Sequence, residues 1–263
     1  MEKIAFLFRY IRYLFTAKGL HGTHSPFVYH LYEDVIADKR TYYAYEEIES
    51  LRASLLLSNE SIEVTDLGAG SISGLSNKRK RKIKNIALSS AKQPKYGQLL
   101  FRLVNHFKPE TIIELGTSLG LSSLYLAKAN SNTKLVTLEG CEQTADVAKR
   151  NFRKLKVENI ELIQGNFNQT LNEALQKTGK ADFVFFDGNH RKSPTLSYFN
   201  DCLPFITNES VFIFDDIHWS AEMEDAWKEI QLHPRVKVTI DLFAFGLVFF
   251  RREQAKEDFV MRY

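Results

Sequence analysis

From Lys108 onward the chain repeats one pattern: a short apolar run, a small cluster of acidic, amide or glycine residues, then a helical segment. The apolar runs fall at 111–115, 134–138, 160–164, 182–186 and 211–214, with helical periodicity between them, as over 121–129 and 144–155. Five-residue runs this apolar are buried on both faces, which suits the inner strands of a parallel sheet. Parallel strands need crossovers, and the helical segments supply them, so the pattern predicts a doubly wound, mostly parallel α/β sheet. The chain then changes habit. Runs at 236–240 and 247–250 flank Phe243-Ala-Phe-Gly246 and read as a closing antiparallel pair, for a seven-stranded sheet in all.

Residues 1–107 read differently, as a mainly helical extension or cap ahead of a domain over 108–263. Ile4, Leu7, Phe8, Ile11, Leu14 and Phe15 recur at helical spacing, which predicts an amphipathic first helix. Packing of that stripe on its own domain or on a partner subunit, as in a homodimer, is the expectation, rather than peripheral membrane contact by residues 1–16. No stretch reaches the roughly 18 apolar residues of a bilayer span. Nor does a small-residue cleavage site follow the first helix, which argues against a signal peptide. Further on, the turn-rich link His21-Gly-Thr-His24-Ser-Pro-Phe27 reads as a structural turn or pocket wall, and Tyr42, Tyr43 and Tyr45 as a core stripe in a helix ending near Leu57.

Charge is unevenly placed. The net charge is +3, and the run Lys78-Arg79-Lys80-Arg81-Lys82-Ile83-Lys84 alone carries six cations, leaving the rest at −3. A broad nucleic-acid grip would be basic throughout, so a solvated loop or helix start is expected here and nucleic acid is not expected as a partner. Cys141 and Cys202 have no CxxC or CxxH neighbours, which points to reduced thiols in a cytoplasmic protein.

In a doubly wound sheet, ligands bind outside the carboxyl ends of the strands. The first end is Glu114-Leu-Gly116-Thr117-Ser118-Leu-Gly120, where the glycines allow a tight turn and a close helix start. Glu114 would repel a pyrophosphate but suits a cationic or amine-bearing ligand. The second strand ends at Glu139, a carboxylate able to accept both hydroxyls of a ribose, or else an acid at a helix start. The third ends at Gly165-Asn166-Phe167-Asn168, where an amide and an aromatic ring could read and stack on an adenine. Asp187-Gly188-Asn189-His190 and Asp215-Asp216-Ile217-His218-Trp219 end the fourth and fifth. Carboxylates gathered in this way repel one another unless a cation or proton joins them, which marks this end of the sheet as the site. Ile62-Glu-Val-Thr-Asp66-Leu-Gly68-Ala-Gly70 mimics the first motif but leads only into the basic run, and reads as a turn.

On these residues, 108–250 resembles the class I S-adenosylmethionine-dependent methyltransferases. Within them it looks most like the small O-methyltransferases of the catechol, caffeoyl-CoA and antibiotic-sugar types. The resemblance implies that Ile113 to Gly120 cradles the methionine part of the cofactor, that Glu139 takes the ribose, and that Gly165, Asn166 and Phe167 border the adenine. Metal-dependent members hold Mg²⁺ with an aspartate after the fourth strand and an acidic pair after the fifth. Asp187, Asp215 and Asp216 match, and the cation would lower the pKa of an acceptor hydroxyl and aim it; alternatively Asp187 contacts only cofactor and the pair caps a helix. Asn189 stands where antibiotic-sugar members carry an acid, and an amide cannot take a proton. His190 and His218 are the substitute base candidates, each equally readable as structural. The implied activity is O-methylation of a small molecule. An RNA or protein methyltransferase using the 78–84 run, and a non-catalytic cofactor-binding scaffold, are the alternatives.

Overall fold

A computed structural model of the chain describes residues 2–20, 24–65, 78–90 and 92–263. The turn residues His21, Gly22 and Thr23 and the glycine turn Asp66–Gly68–Gly70 lie outside the described residues. The fold is α/β with a mostly parallel central sheet of eight strands rather than seven, and its strands divide between two compact units. One unit comprises Met1–Asp38 with Gly179–Tyr263, the other Lys39–Thr178. Of residues 1–107, the first 38 fall in the first unit and the rest in the second.

In the second unit, helix α3 (Tyr43–Leu56) leads to a two-stranded antiparallel ribbon of β1 (Ser61–Thr65) and β2 (Lys78–Lys82). Helices α4 (Ile83–Ser90) and α5 (Pro94–Phe107) follow. Then come β3 (Thr111–Leu115), α6 (Leu121–Ala129), β4 (Lys134–Glu139), α7 (Glu142–Lys154), β5 (Ile160–Gln164) and α8 (Phe167–Thr178). β3, β4 and β5 pair in parallel in that order. Ile112, Ile113, Leu135, Val136 and Leu138 are fully buried, as their unbroken apolar runs require. The basic run is not a loop or helix start: Lys78 to Lys82 form β2, an exposed strand paired residue for residue with β1, and the helix begins only at Ile83.

In the first unit, α1 (Glu2–Thr16) and α2 (Pro26–Leu31, continued by a π-helical turn to Ile36) precede the strand-bearing segment. That segment runs β6 (Phe183–Phe186), α9 (Lys192–Cys202), β7 (Val211–Asp215), α10 (Ala221–Leu232), β8 (Val238–Asp241), β9 (Phe245–Phe249) and β10 (Glu257–Val260). β6 and β7 are parallel, with Phe186 stacked on Phe214 at 4.3 Å. β9 lies antiparallel to both β7 and β8, which is the expected closing hairpin. The eighth strand, β10, runs parallel to β8 and was not foreseen, because Phe259 is the single deeply buried residue of its four.

Helix α1 forms where predicted, but the face it packs is the opposite one. Tyr13 and Ala17 are buried beside Phe243, with Phe6 against them. The Tyr13 hydroxyl donates to the Met261 carbonyl at 2.5 Å, and Arg9 and Arg12 both reach Glu224 of α10, at 3.1 and 2.7 Å. The predicted stripe from Ile4 to Phe15 faces out. Among the described residues, no helix is long and apolar enough to cross a membrane.

Candidate active site

The strand ends of the second unit carry Glu114, Gly116, Thr117, Ser118, Gly120, Glu139, Gly165, Asn166 and Phe167. Glu114 is fully buried at the end of β3. Its Oε2 accepts from the Ser123 hydroxyl and from Thr137 Oγ1 at 2.6 Å, and Thr137 in turn meets Thr117 Oγ1 at 2.6 Å. Through these bonds Glu114 locks β3 to α6 and β4.

The turn after β3 depends on unusual backbone. Gly116 and Gly120 have φ of 105° and 82°, and Ser118 sits at 48°. Gly116 and Thr117 both donate backbone N–H to the Leu138 carbonyl, at 3.0 and 3.1 Å, which brings the turn onto the end of β4. Gly120 starts α6 directly against the Phe152 ring of α7, so a Cβ there would collide with that ring.

Glu139, half-buried at the end of β4, joins the two loops. One carboxylate oxygen accepts from the Ser118 amide at 2.8 Å, the other from the Cys141 amide at 2.9 Å. Burial pushes its pKa up, against the pull of the Cys141, Ser118 and Gly140 amides. A carboxylate offers about four acceptor positions, so the two engaged here leave room for two further donors. The Cys141 amide was not among the predicted residues. Its thiol also ties this turn to β1, lying 3.4 Å from the Thr65 amide and 3.6 Å from the Glu63 carbonyl.

At the end of β5, Gly165 has φ of 148°, and a Cβ on it would come within 2.8 Å of Thr170 Cγ2. The side-chain oxygen of Asn166 accepts from the Asn168 amide at 2.9 Å, capping α8, while the Phe167 ring is partly exposed at its first turn.

The strand ends of the first unit carry the other predicted residues. Asp187, His190 and Asp215 converge: one ligand atom from each lies within 4.8 Å of the others, and His190 Nε2 stands 3.6 Å from Asp187 Oδ1. Asp215 is buried and the other two are half-buried. Asp216 is not in this group. It takes φ of 54° and turns the chain, its carbonyl accepting from the Trp219 amide at 2.9 Å. Of the predicted metal ligands, Asp187 and Asp215 thus lie together, with His190 beside them. Asn189, also at φ 54°, accepts from Arg191 Nε at 3.2 Å.

His218 does not stand at an open strand end. Nδ1 lies 2.9 Å from Glu224 Oε1, Nε2 lies 2.7 Å from Asp241 Oδ2, and the ring stacks on Phe243 at 5.2 Å. Burial alone would lower its pKa, but Asp241 and Glu224 outweigh it and the net shift is upward. With both nitrogens held by carboxylates, His218 sits as a clasp under α1, the structural alternative for this residue. The sequence could not reveal this, since the partners lie six and 23 residues away.

Known proteins resemble parts of this chain. A family model described as a methyltransferase domain matches residues 113–217. A catechol O-methyltransferase from Niastella koreensis is 28% identical over 127 residues, covering 47% of this chain and 57% of its own. A transmembrane O-methyltransferase homolog from Mus musculus is 34% identical over 96 residues, covering 35% of this chain and 37% of its own. This chain therefore spans less than two thirds of the length of those curated relatives. Among solved structures, an O-methyltransferase from Bacillus cereus in complex with SAH aligns with a TM-score of 0.57 at 19% identity, over 84% of this chain and 95% of that one. The O-methyltransferase TomG from Streptomyces achromogenes, in complex with SAM, aligns with a TM-score of 0.52 at 21% identity, over 61% and 82%. At these identities the likeness is one of fold.

Proposed function

We propose that this chain, which carries a methyltransferase domain at residues 113–217, transfers a methyl group from S-adenosylmethionine to an oxygen of a small-molecule acceptor. The observation that carries the reading is Glu139: a half-buried carboxylate with both oxygens pre-aimed by the amides of Ser118 and Cys141, and with acceptor positions left for two ribose hydroxyls. The neighbouring turns fit the same ligand. Gly116 and Ser118 hold a left-handed turn beside it, and Gly165 leaves open a space that a Cβ could not share with Thr170. Glu114 braces the turn from beneath, and Phe167 offers a ring face at the third strand end.

The cofactor supplies a methyl group on a positively charged sulfur. The chain's own work is alignment: holding donor and acceptor in line removes much of the barrier without a strong base. Asp187, His190 and Asp215 would hold a divalent cation, whose chemistry is to lower the pKa of an acceptor hydroxyl. Two carboxylates and an imidazole form a mixed donor set. It suits Mn²⁺ or Zn²⁺ at least as well as Mg²⁺, which prefers oxygen alone. In this reading His190 is a ligand, not the proton acceptor.

Calorimetric titration with S-adenosylhomocysteine, with NAD as the control, tests the cofactor. Micromolar binding that collapses in Glu139→Ala is expected. No heat from protein shown to be folded would end the methyltransferase reading. An acceptor screen run with Mg²⁺, with Mn²⁺ and with chelator then tests the cation.

A further inference from the structure

Helix α1 turns an apolar face to the outside. Phe15 is 87% exposed, Phe8 67%, Ile4 62% and Leu7 55%, with Ile11 and Leu14 continuing the row. At about 100° per residue these six side chains occupy an arc of about 120°. The helix is not loose on that account, since its other side is fastened by Tyr13, Ala17, Arg9 and Arg12. Isolated exposed hydrophobics are ordinary on a protein surface, but a contiguous row of six marks an interaction face.

Charge decides what covers it. Between Lys3 and Lys18 the sequence holds four cations, Lys3, Arg9, Arg12 and Lys18, and no carboxylate. Arg9 and Arg12 share a single carboxylate, Glu224, and Lys18 is exposed at the end of the row. A second copy laid face to face would bring the same four cations against each other with only Glu2, at the first residue of the helix, to answer them, whereas paired helices call for opposite charges along their flanks. An anionic bilayer answers both features, taking aromatic and aliphatic side chains into the acyl boundary and pairing Lys and Arg with phosphate. Trp219, 60% exposed, packs edge-on against Phe6 at 5.8 Å and adds an indole beside the helix, a side chain that favours the headgroup level.

We infer that α1 is a membrane-surface anchor, which lays its Ile4 to Phe15 face on an anionic lipid surface while the opposite face stays docked on the protein. The inference does not depend on the chemistry of the strand ends.

The test is flotation of the full chain with vesicles of equal parts phosphatidylglycerol and phosphatidylcholine, against phosphatidylcholine alone. The chain is expected to float with the anionic vesicles, less so at high salt. The double variant Phe8→Asp/Phe15→Asp should lower the partition coefficient about tenfold or more. Lys18→Gln should lower it about fivefold. Both side chains of the double variant point outward, so its thermal midpoint and its S-adenosylhomocysteine titration should match those of the parent. Failure of the parent to float, or flotation that the double variant retains, would overturn the inference. So would a dimer in light scattering that the double variant dissociates, since a second copy would then own the face.

Discussion

The two groups of strand ends hold similar residues in opposite states of readiness. Those of the second unit are already satisfied. Glu114 is held by Ser123 and Thr137, and Glu139 by two backbone amides, so these carboxylates keep their positions whether or not a ligand arrives. Those of the first unit converge two carboxylates and an imidazole within 4.8 Å, an arrangement whose repulsion a cation relieves. A site prepared with neutral donors suits a polyhydroxyl ligand recognised by shape and hydrogen bonds. A site prepared with concentrated negative charge suits a cation.

That contrast can be broken most directly at Glu139. Glu139→Ala strips the acceptor from two amides and from the ligand together, and should weaken S-adenosylhomocysteine binding about 100-fold or more in calorimetry. Glu139→Gln keeps one acceptor oxygen and should lose about tenfold. Asp215→Asn sharpens the comparison from the other side: cation-stimulated turnover should fall about 100-fold, while affinity for S-adenosylhomocysteine stays within about threefold. Equal losses in both readouts would mean that the two groups do not act separately. Gly120→Ala tests the frame instead of the chemistry. It forces a Cβ into the Phe152 ring at positive φ, and should lower stability by about 2 to 3 kcal/mol in denaturant melts.

The smallest effect belongs to the clasp under α1. Glu224 is held below its ordinary value of 4.5: burial pushes it up, but His218, Arg12 and Arg9 prevail. Its contribution is therefore present above pH 4.5 and lost as pH falls through the lowered value. His218 is raised above 6.5, so its contribution is complete below that pH and lost as pH rises through the raised value. Docking of α1 should be firmest between those limits, and Glu224→Gln should flatten the acid side. Limited proteolysis within residues 2–18 across pH would show it.

How much of this could be read in advance depended on whether the deciding partners were neighbours in sequence. Four of the five parallel strands and the hairpin were legible because burial on both faces forces continuous apolar runs, while β5, at the sheet edge, kept enough apolar residues to be read; helix α6 ran over the expected residues. β10 was hidden because an edge strand needs few apolar residues. The basic strand was hidden because Lys and Arg runs have little strand preference of their own, and β2 is held by its pairing with β1. Periodicity found α1 but could not say which face would be covered, since Phe243 and Met261 lie more than 200 residues away. At the site, the residue types at each strand end were legible. The grouping of His190 with Asp187 and Asp215 was not, and Asp216 instead turns the chain with a left-handed backbone.

The joining of residues 1–38 to 179–263 bears on how the protein is made. The Lys18 amide donates to the Val260 carbonyl and the Arg262 amide to the Lys18 carbonyl, so this segment finishes against one made more than 240 residues after it. At roughly 5 to 20 residues per second, α1 waits on the order of ten seconds or longer before its docking partners exist. During that interval both faces of the helix are bare.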